Sequence, residues 1–275
     1  MATDLSQFVW SHTLVDTHEH MLKEQDWLTT GPDDVLQDLF GNYVPADLIS
    51  AGATQEAMKR ASDGKDPDVA GRFAGIENAW NAIRHTGYGE AVQLIAERVY
   101  GIAEITPEAC SAAAPRLQAL RSPGQRLAML QESAGLDHIQ TDDFVWACLP
   151  DESGPEFFLY DLSWVNFCSG NLDVEKIAGE TGVTIRDLPT LNEAMEALFH
   201  RYGPLAIAVK AQHAYNRTLL WQERSPADAE RALQISLTDP NGRDEATRLC
   251  LGDWCWARGV ELAIEYNLPF KIHTG

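Results

Sequence analysis

Two histidines one residue apart, in Val15-Asp16-Thr17-His18-Glu19-His20, carry the most specific chemistry in this chain. Alternate residues of a strand project to one face, so the two imidazoles lie side by side with Asp16 one step below. Paired imidazoles can chelate a metal ion, and Asp16 is placed to fix the tautomer of one of them. A third histidine, His273, ends a second apolar segment, Leu268-Pro269-Phe270-Lys271-Ile272. The plainer alternative is an incidental pair, since histidines are common at rims and caps. The apolar lead-in, Asp16 and a matching strand-terminal histidine favour the metal. Three neutral imidazoles suit a divalent ion, Zn²⁺ first, and leave a position open for water. Such an ion lowers the pKa of its water and polarises a substrate carbonyl.

The segment Leu205 to Gln212 is expected to be a strand with two unlike faces. Leu205, Ile207 and Val209 form a bulky apolar face, and Ala206, Ala208, Lys210 and Gln212 a face that runs from small to polar. A barrel interior wants small residues where strands crowd and functional groups at the rim, so Lys210 is expected to point into a barrel mouth. It could snorkel from the rim, bridge metals as a carbamate, or anchor a substrate carboxylate. In the following loop, His213, Tyr215 and Arg217 add candidate substrate-binding donors. His213 is otherwise a plain loop histidine, and Arg217 either clamps an anion or pairs with a surface carboxylate. Asp142 and Asp143 are read as turn residues or as a carboxylate presented to the pocket. His12, His85, His138 and His200 have no ligand-like neighbours.

These residues need a scaffold of strands separated by helices. Thr13 to His20, His138 to Cys148, Phe157 to Val165, Leu205 to Gln212 and Leu268 to Ile272 are expected strands. Tyr88 to Tyr100, a stretch opening at Thr106-Pro107-Glu108, a stretch from Ser122-Pro123 to Gly135, Leu188 to Tyr202 and Asp244 to Tyr266 are expected helices. Ser225 to Arg243 looks like a polar surface excursion. The expected division is 1–23 for the first strand and its histidine pair, 24–136 for a helical insertion or subdomain, and 137–275 for the continuing βα barrel. Alternation of this kind argues for a parallel sheet of βαβ units in an α/β protein.

Composition sets bounds. With 21 Lys and Arg against 41 Asp and Glu, the formal charge of −20 disfavours nucleic acid and anionic membrane as partners. Five cysteines without paired spacing read as reduced thiols, and no signal peptide or membrane span is evident, so a cytoplasmic protein is expected. A small-molecule substrate is the expected partner, with the helical stretch a surface for self-association. No GxSxG, P-loop or GxGxxG occurs, which removes the common serine-hydrolase, NTPase and dinucleotide readings.

The run Val15-Asp16-Thr17-His18-Glu19-His20, then Val209-Lys210 through Tyr215 to Arg217, then Leu268 to His273-Thr274-Gly275, resembles the amidohydrolase superfamily. Within it the amidohydrolase-related group is most similar, which includes domains fused to glutamine-synthetase-like proteins. The long helical stretch after the first strand resembles that of uronate isomerases. The resemblance implies a (β/α)₈ TIM-type barrel and a metal-dependent hydrolase of C–N or related carbonyl bonds. His18 and His20 match the ligands after strand 1, His273 the ligand after strand 5, and Lys210 the strand 4 position. A decarboxylase or uronate-type isomerase is the alternative on the same barrel, and a non-catalytic binding protein a further one. The family also implies a histidine after strand 6 and an aspartate after strand 8. The chain stops at the strand 5 motif, so about five strands and an incomplete barrel are expected.

Overall fold

A computed structural model describes residues 3–239 and 243–274. Gly275 of the last motif and 240–242 of the expected surface excursion lie outside the described residues. Five strands occur in chain order: β1 (Leu14–Glu19), β2 (Leu136–Thr141), β3 (Phe158–Ser163), β4 (Ala208–Ala211) and β5 (Phe270–Ile272). They form one sheet in the order β1-β2-β3-β4-β5. The pairs β2–β3, β3–β4 and β4–β5 are parallel, with Ile139 opposite Phe158, Ser163 opposite Lys210, and Lys210 opposite Lys271. Leu14 N–H donates to Gly135 O and Asp142 N–H to Glu19 O, so β1 and β2 also run in the same sense. This is an α/β parallel sheet in the strand order of a TIM barrel, incomplete as a barrel.

The described chain separates into two compact units. One comprises residues 1–14 and 22–137 and is helical apart from the strand ends it includes. Several of its helices start where a side chain satisfies a free N–H group: Thr54, Asp68, Thr86 and Thr106 each accept from a backbone N–H three residues on. Its core packs Leu36, Leu39, Phe40, Ile76 and Trp80, with the Phe40 and Trp80 rings edge to face at 5.2 Å. The expected helix from Ser122 is shorter, an α segment Gln125–Ala128 that widens into a π turn Met129–Ser133 before Gly135 at φ +68°.

The other unit comprises 15–21 and 138–275 and holds the sheet. Leu188–Tyr202 is the expected amphipathic helix, burying Leu191, Met195, Leu198 and Tyr202 and opened by a reciprocal Asp187–Thr190 cap. Two expectations are corrected. Pro226–Thr238 is a helix capped by Ser225, because Ala229, Ala232 and Leu233 line up on one buried face within the polar stretch. β2 stops at Thr141, because the Asp142 carboxylate accepts from Phe144 N–H at 2.8 Å and Phe144 turns to φ +62°. Trp164, after β3, is fully buried and donates its ring N–H to Cys255 O at 3.1 Å in the helix Glu245–Glu265. That helix approaches closely enough to need glycine: a Cβ on Gly259 would lie 2.2 Å from Trp164 Nε1.

Candidate functional site

All the sequence-derived site residues lie in the sheet unit. The His18 ring sits 5.3 Å from that of His20 and 5.0 Å from that of His273, both edge to face. The ladder itself delivers His273, whose backbone N–H donates to Ala211 O at 2.9 Å just beyond β5. The first and fifth strands therefore bring their histidines to one place.

The tautomer of His20 is set by a group other than the one expected. Its Nδ1 lies 2.7 Å from Asp142 O, so the nitrogen donates there and Nε2 carries the lone pair. Asp16 instead accepts from the His18 backbone N–H at 3.0 Å, which corrects its expected role as the partner of an imidazole. Phe144 lies flat against His20 at 5.0 Å, held in its left-handed conformation by the Asp142 carboxylate. The other oxygen of that carboxylate accepts from Gln212 Nε2 at 2.6 Å. Tyr215, largely exposed, stacks on His273 at 4.9 Å. Burial first, then the cation of Lys210 and the neighbouring histidines, lower the His18 pKa and favour its neutral, electron-donating form.

Below the histidines the sheet interior is charged. Lys271 Nζ meets Asp161 Oδ2 at 2.6 Å, Thr17 O at 3.1 Å and Gln140 Oε1 at 3.1 Å. A β5 side chain thus reaches β1, β2 and β3, which requires the sheet to curl. Ala208 stands opposite Asp161 on the intervening β4, and its small side chain leaves room for the reach. Burial pushes the Asp161 carboxyl up to about 6 despite the lysine. Lys210 is buried, opposite Ser163 and Lys271 in register.

His213 and Arg217 depart from their expected substrate-binding roles. His213 is sealed from solvent against the Trp256 ring at 4.3 Å, and neither ring nitrogen has a partner. Burial, then the Arg217 cation, push its pKa down to about 4. Every guanidinium nitrogen of Arg217 is engaged: Nη2 with Asp253 at 2.6 Å, Nη1 with Cys168 O at 3.0 Å, and Nε with Thr218 O at 2.9 Å. Asp253, on a helix 36 positions away, also holds Arg224 at 2.9 Å. Its polar position within an apolar helical stretch was the available signal.

The histidine cluster fits a divalent ion in donor chemistry and ring spacing, since imidazoles sharing one tetrahedral ion have centres on the order of 5 Å apart. The nitrogens are not closed on a common point: among the described residues, no group of three or more His, Cys, Asp or Glu is preformed around an ion position. Four of the five cysteines are buried and all five are free thiols, so none forms a disulfide.

No family model matches the chain, and no curated protein matches it. Among solved structures it is similar to uronate isomerase from Thermotoga maritima, with a TM-score of 0.75 at 13% sequence identity. The similarity covers 96% of this chain and 59% of that one, so the chain spans about three-fifths of the length of the structure it matches. At this identity the likeness shows a shared TIM-barrel-type α/β fold.

Proposed function

We propose that the chain is part of a divalent-metal-dependent enzyme of the amidohydrolase type that hydrolyses a C–N or related carbonyl bond in a small molecule. The observation that carries this reading is the meeting of His18, His20 and His273 from the first and fifth strands. These three side chains would hold the ion, with Zn²⁺ favoured by an all-imidazole set. When bound, the ion supplies a hydroxide-like water and a polarised carbonyl near neutral pH. The chain's own residues prepare that site. Asp142 O fixes the donor nitrogen of His20, Phe144 braces its ring, and partial desolvation followed by neighbouring charges lowers the His18 pKa. Tyr215, stacked on His273 and open to solvent, offers a wall for substrate. Lys210 serves as a metal bridge or an anchor for a substrate carboxylate.

A second reading, a uronate-type isomerase, is favoured by the uronate isomerase likeness. Carbonyl polarisation serves both reactions. The acidic composition supports a small-molecule partner over nucleic acid or membrane. Among the described residues no helix is long and apolar enough to cross a membrane. The test is turnover by Zn²⁺-loaded protein of amides, lactones, benzoate-type acids and uronates. Release of amine or acid supports hydrolysis, and aldose-to-ketose conversion supports the isomerase. Metal binding with no turnover of any class favours a binding protein.

A further inference from the structure

The helical unit holds a cavity of about 500 Å³, within the range of roughly 300–1,000 Å³ usual for small-molecule sites. Part of its wall is one face of the helix Glu77–Ile83 and the residue that caps it, since Glu77, Trp80, Asn81 and Arg84 follow one another at helical spacing. Gln93 and Ala96 of the helix Gly87–Arg98 and the loop from Ile102 to Thr106 supply more of it. Trp80 is only 5% exposed, yet its ring N–H has no hydrogen-bond partner among the described residues, which is unusual for a buried tryptophan. Nor is that nitrogen closed off from solvent, as the ring nitrogen of Trp27 is. The small open part of Trp80 is thus its donor edge, and the cavity is what it opens on. Arg84 uses only Nε, on His85 Nε2 at 3.3 Å, and Gln93 Nε2 donates to Arg84 O where the two helices meet. The Asn81 side chain and the backbone N–H groups of Ala103, Glu104 and Ile105 make no hydrogen bond among the described residues. The carboxylates of Glu77, Glu104 and Glu108 are likewise unpaired there. A cation in this cavity would meet Arg84, and an anion would meet three carboxylates, so neither charge suits the whole wall. A hydroxyl donates and accepts at once, and a compact ring of hydroxyls answers both sets of groups.

We propose that this cavity binds a neutral polyhydroxylated ring, a monosaccharide or cyclic polyol. Trp80, Asn81 and Arg84 donate to its hydroxyls, and Glu77, Glu104 and Glu108 accept from them. Phe73 and Ile105, both buried in the lining, offer apolar contact to its C–H groups. The site lies wholly in the helical unit and shares no residue with the histidine cluster. It therefore goes beyond the metal-dependent reading and needs no ion.

The test titrates the chelator-treated, ¹⁵N-labelled 275-residue chain with glucose, galactose, xylose, ribose and myo-inositol, each to about 50 mM. The readout is the indole N–H signals of its eight tryptophans. At least one of these compounds is expected to move one indole signal saturably, with a Kd in the millimolar range, and absence of that signal from Trp80→Phe assigns it. Arg84→Met and Glu104→Gln change exposed side chains and leave the fold in place. Each is expected to weaken binding by about tenfold, the loss of one charge-assisted hydrogen bond. Choline and citrate, a cation and an anion of similar size, are expected to leave the signal where it is. No shift with any of the five compounds, a shift that both exposed variants leave unchanged, or a shift with choline or citrate alone overturns the proposal. If Trp80→Phe fails to fold, the two exposed variants still locate the bound ring. Because no metal is present in the titration, failure of the metal-dependent reading would not affect it.

Discussion

The helical unit and the sheet unit bury their polar groups by different rules. In the helical unit the buried polar side chains are Arg72 and Arg126. Arg72 is enclosed by acceptors: the Arg60, Ala61 and Asp66 carbonyls and the carboxylate of Asp34. Arg126 donates through Nη1 to Leu22 O at 2.6 Å, whereas the buried Trp27 ring N–H has no hydrogen-bond partner. In the sheet unit, Thr141, Asp142, Asp161, Ser163, Lys210, Gln212, His213, Arg217 and Asp253 are all buried, and several lack a partner. Unmatched buried polar groups cost free energy, and Asp161, Ser163 and Lys210 share one face of the sheet by register. The contrast marks the sheet interior as the place where chemistry outweighs packing.

Substitutions can break or sharpen this contrast. The largest effect is expected for Asp253→Ala, which leaves the Arg217 guanidinium buried without its counter-charge. Loss of one partner of a buried pair costs about 3–5 kcal/mol, measurable by urea denaturation. A loss below about 1 kcal/mol would show that the pair is solvated, as a surface pair is.

His213 gives the next effect, with a defined sign. The unfolded imidazole takes up a proton below its ordinary 6.5, whereas the buried ring stays neutral until about 4. The unfolded state therefore binds more protons in this window, and stability falls as pH drops from about 6.5 towards 4, by on the order of 3 kcal/mol. Asp161, raised to about 6, acts in the opposite sense by protonating first in the folded state. Subtracting the pH profile of His213→Phe from that of wild type isolates the histidine. Parallel profiles would mean that the ring reaches water.

Gly259→Ala should cost about 1–3 kcal/mol, because the added carbon meets the sealed Trp164 ring. Calorimetry reads this directly, and an unchanged transition would show that the helix can shift. The smallest stability change, within about 1 kcal/mol, is expected for Phe144→Gly, which relieves the left-handed strain while loosening His20. Its metal affinity should nonetheless fall by about tenfold, as for lost outer supports elsewhere.

Local patterns made part of this legible in the sequence. The helix Leu188–Tyr202 announced itself through periodic apolar residues, and the spacing of His18 and His20 placed two rings on one face. The register of Lys210 opposite Lys271 needed the sheet, as did the staple from Lys271 to Asp161, which lie 110 positions apart. Such pairs leave no local signature because each member is an ordinary charged residue in a short strand. The partner of His20 was hidden for another reason: it is the main-chain carbonyl of Asp142, and side-chain identity does not reveal it. The helix Pro226–Thr238 was obscured by its polar exposed face, although Ser225-Pro226 is an ordinary capped start.

Calorimetric titration of Zn²⁺ into chelator-treated protein tests the central claim most directly. Convergence of His18, His20 and His273 on a shared ion predicts one ion per chain, with affinity falling by at least about a hundredfold in each single alanine variant, more than the loss of an outer support. Absence of binding by the wild-type chain, or full affinity in His273→Ala, would contradict it.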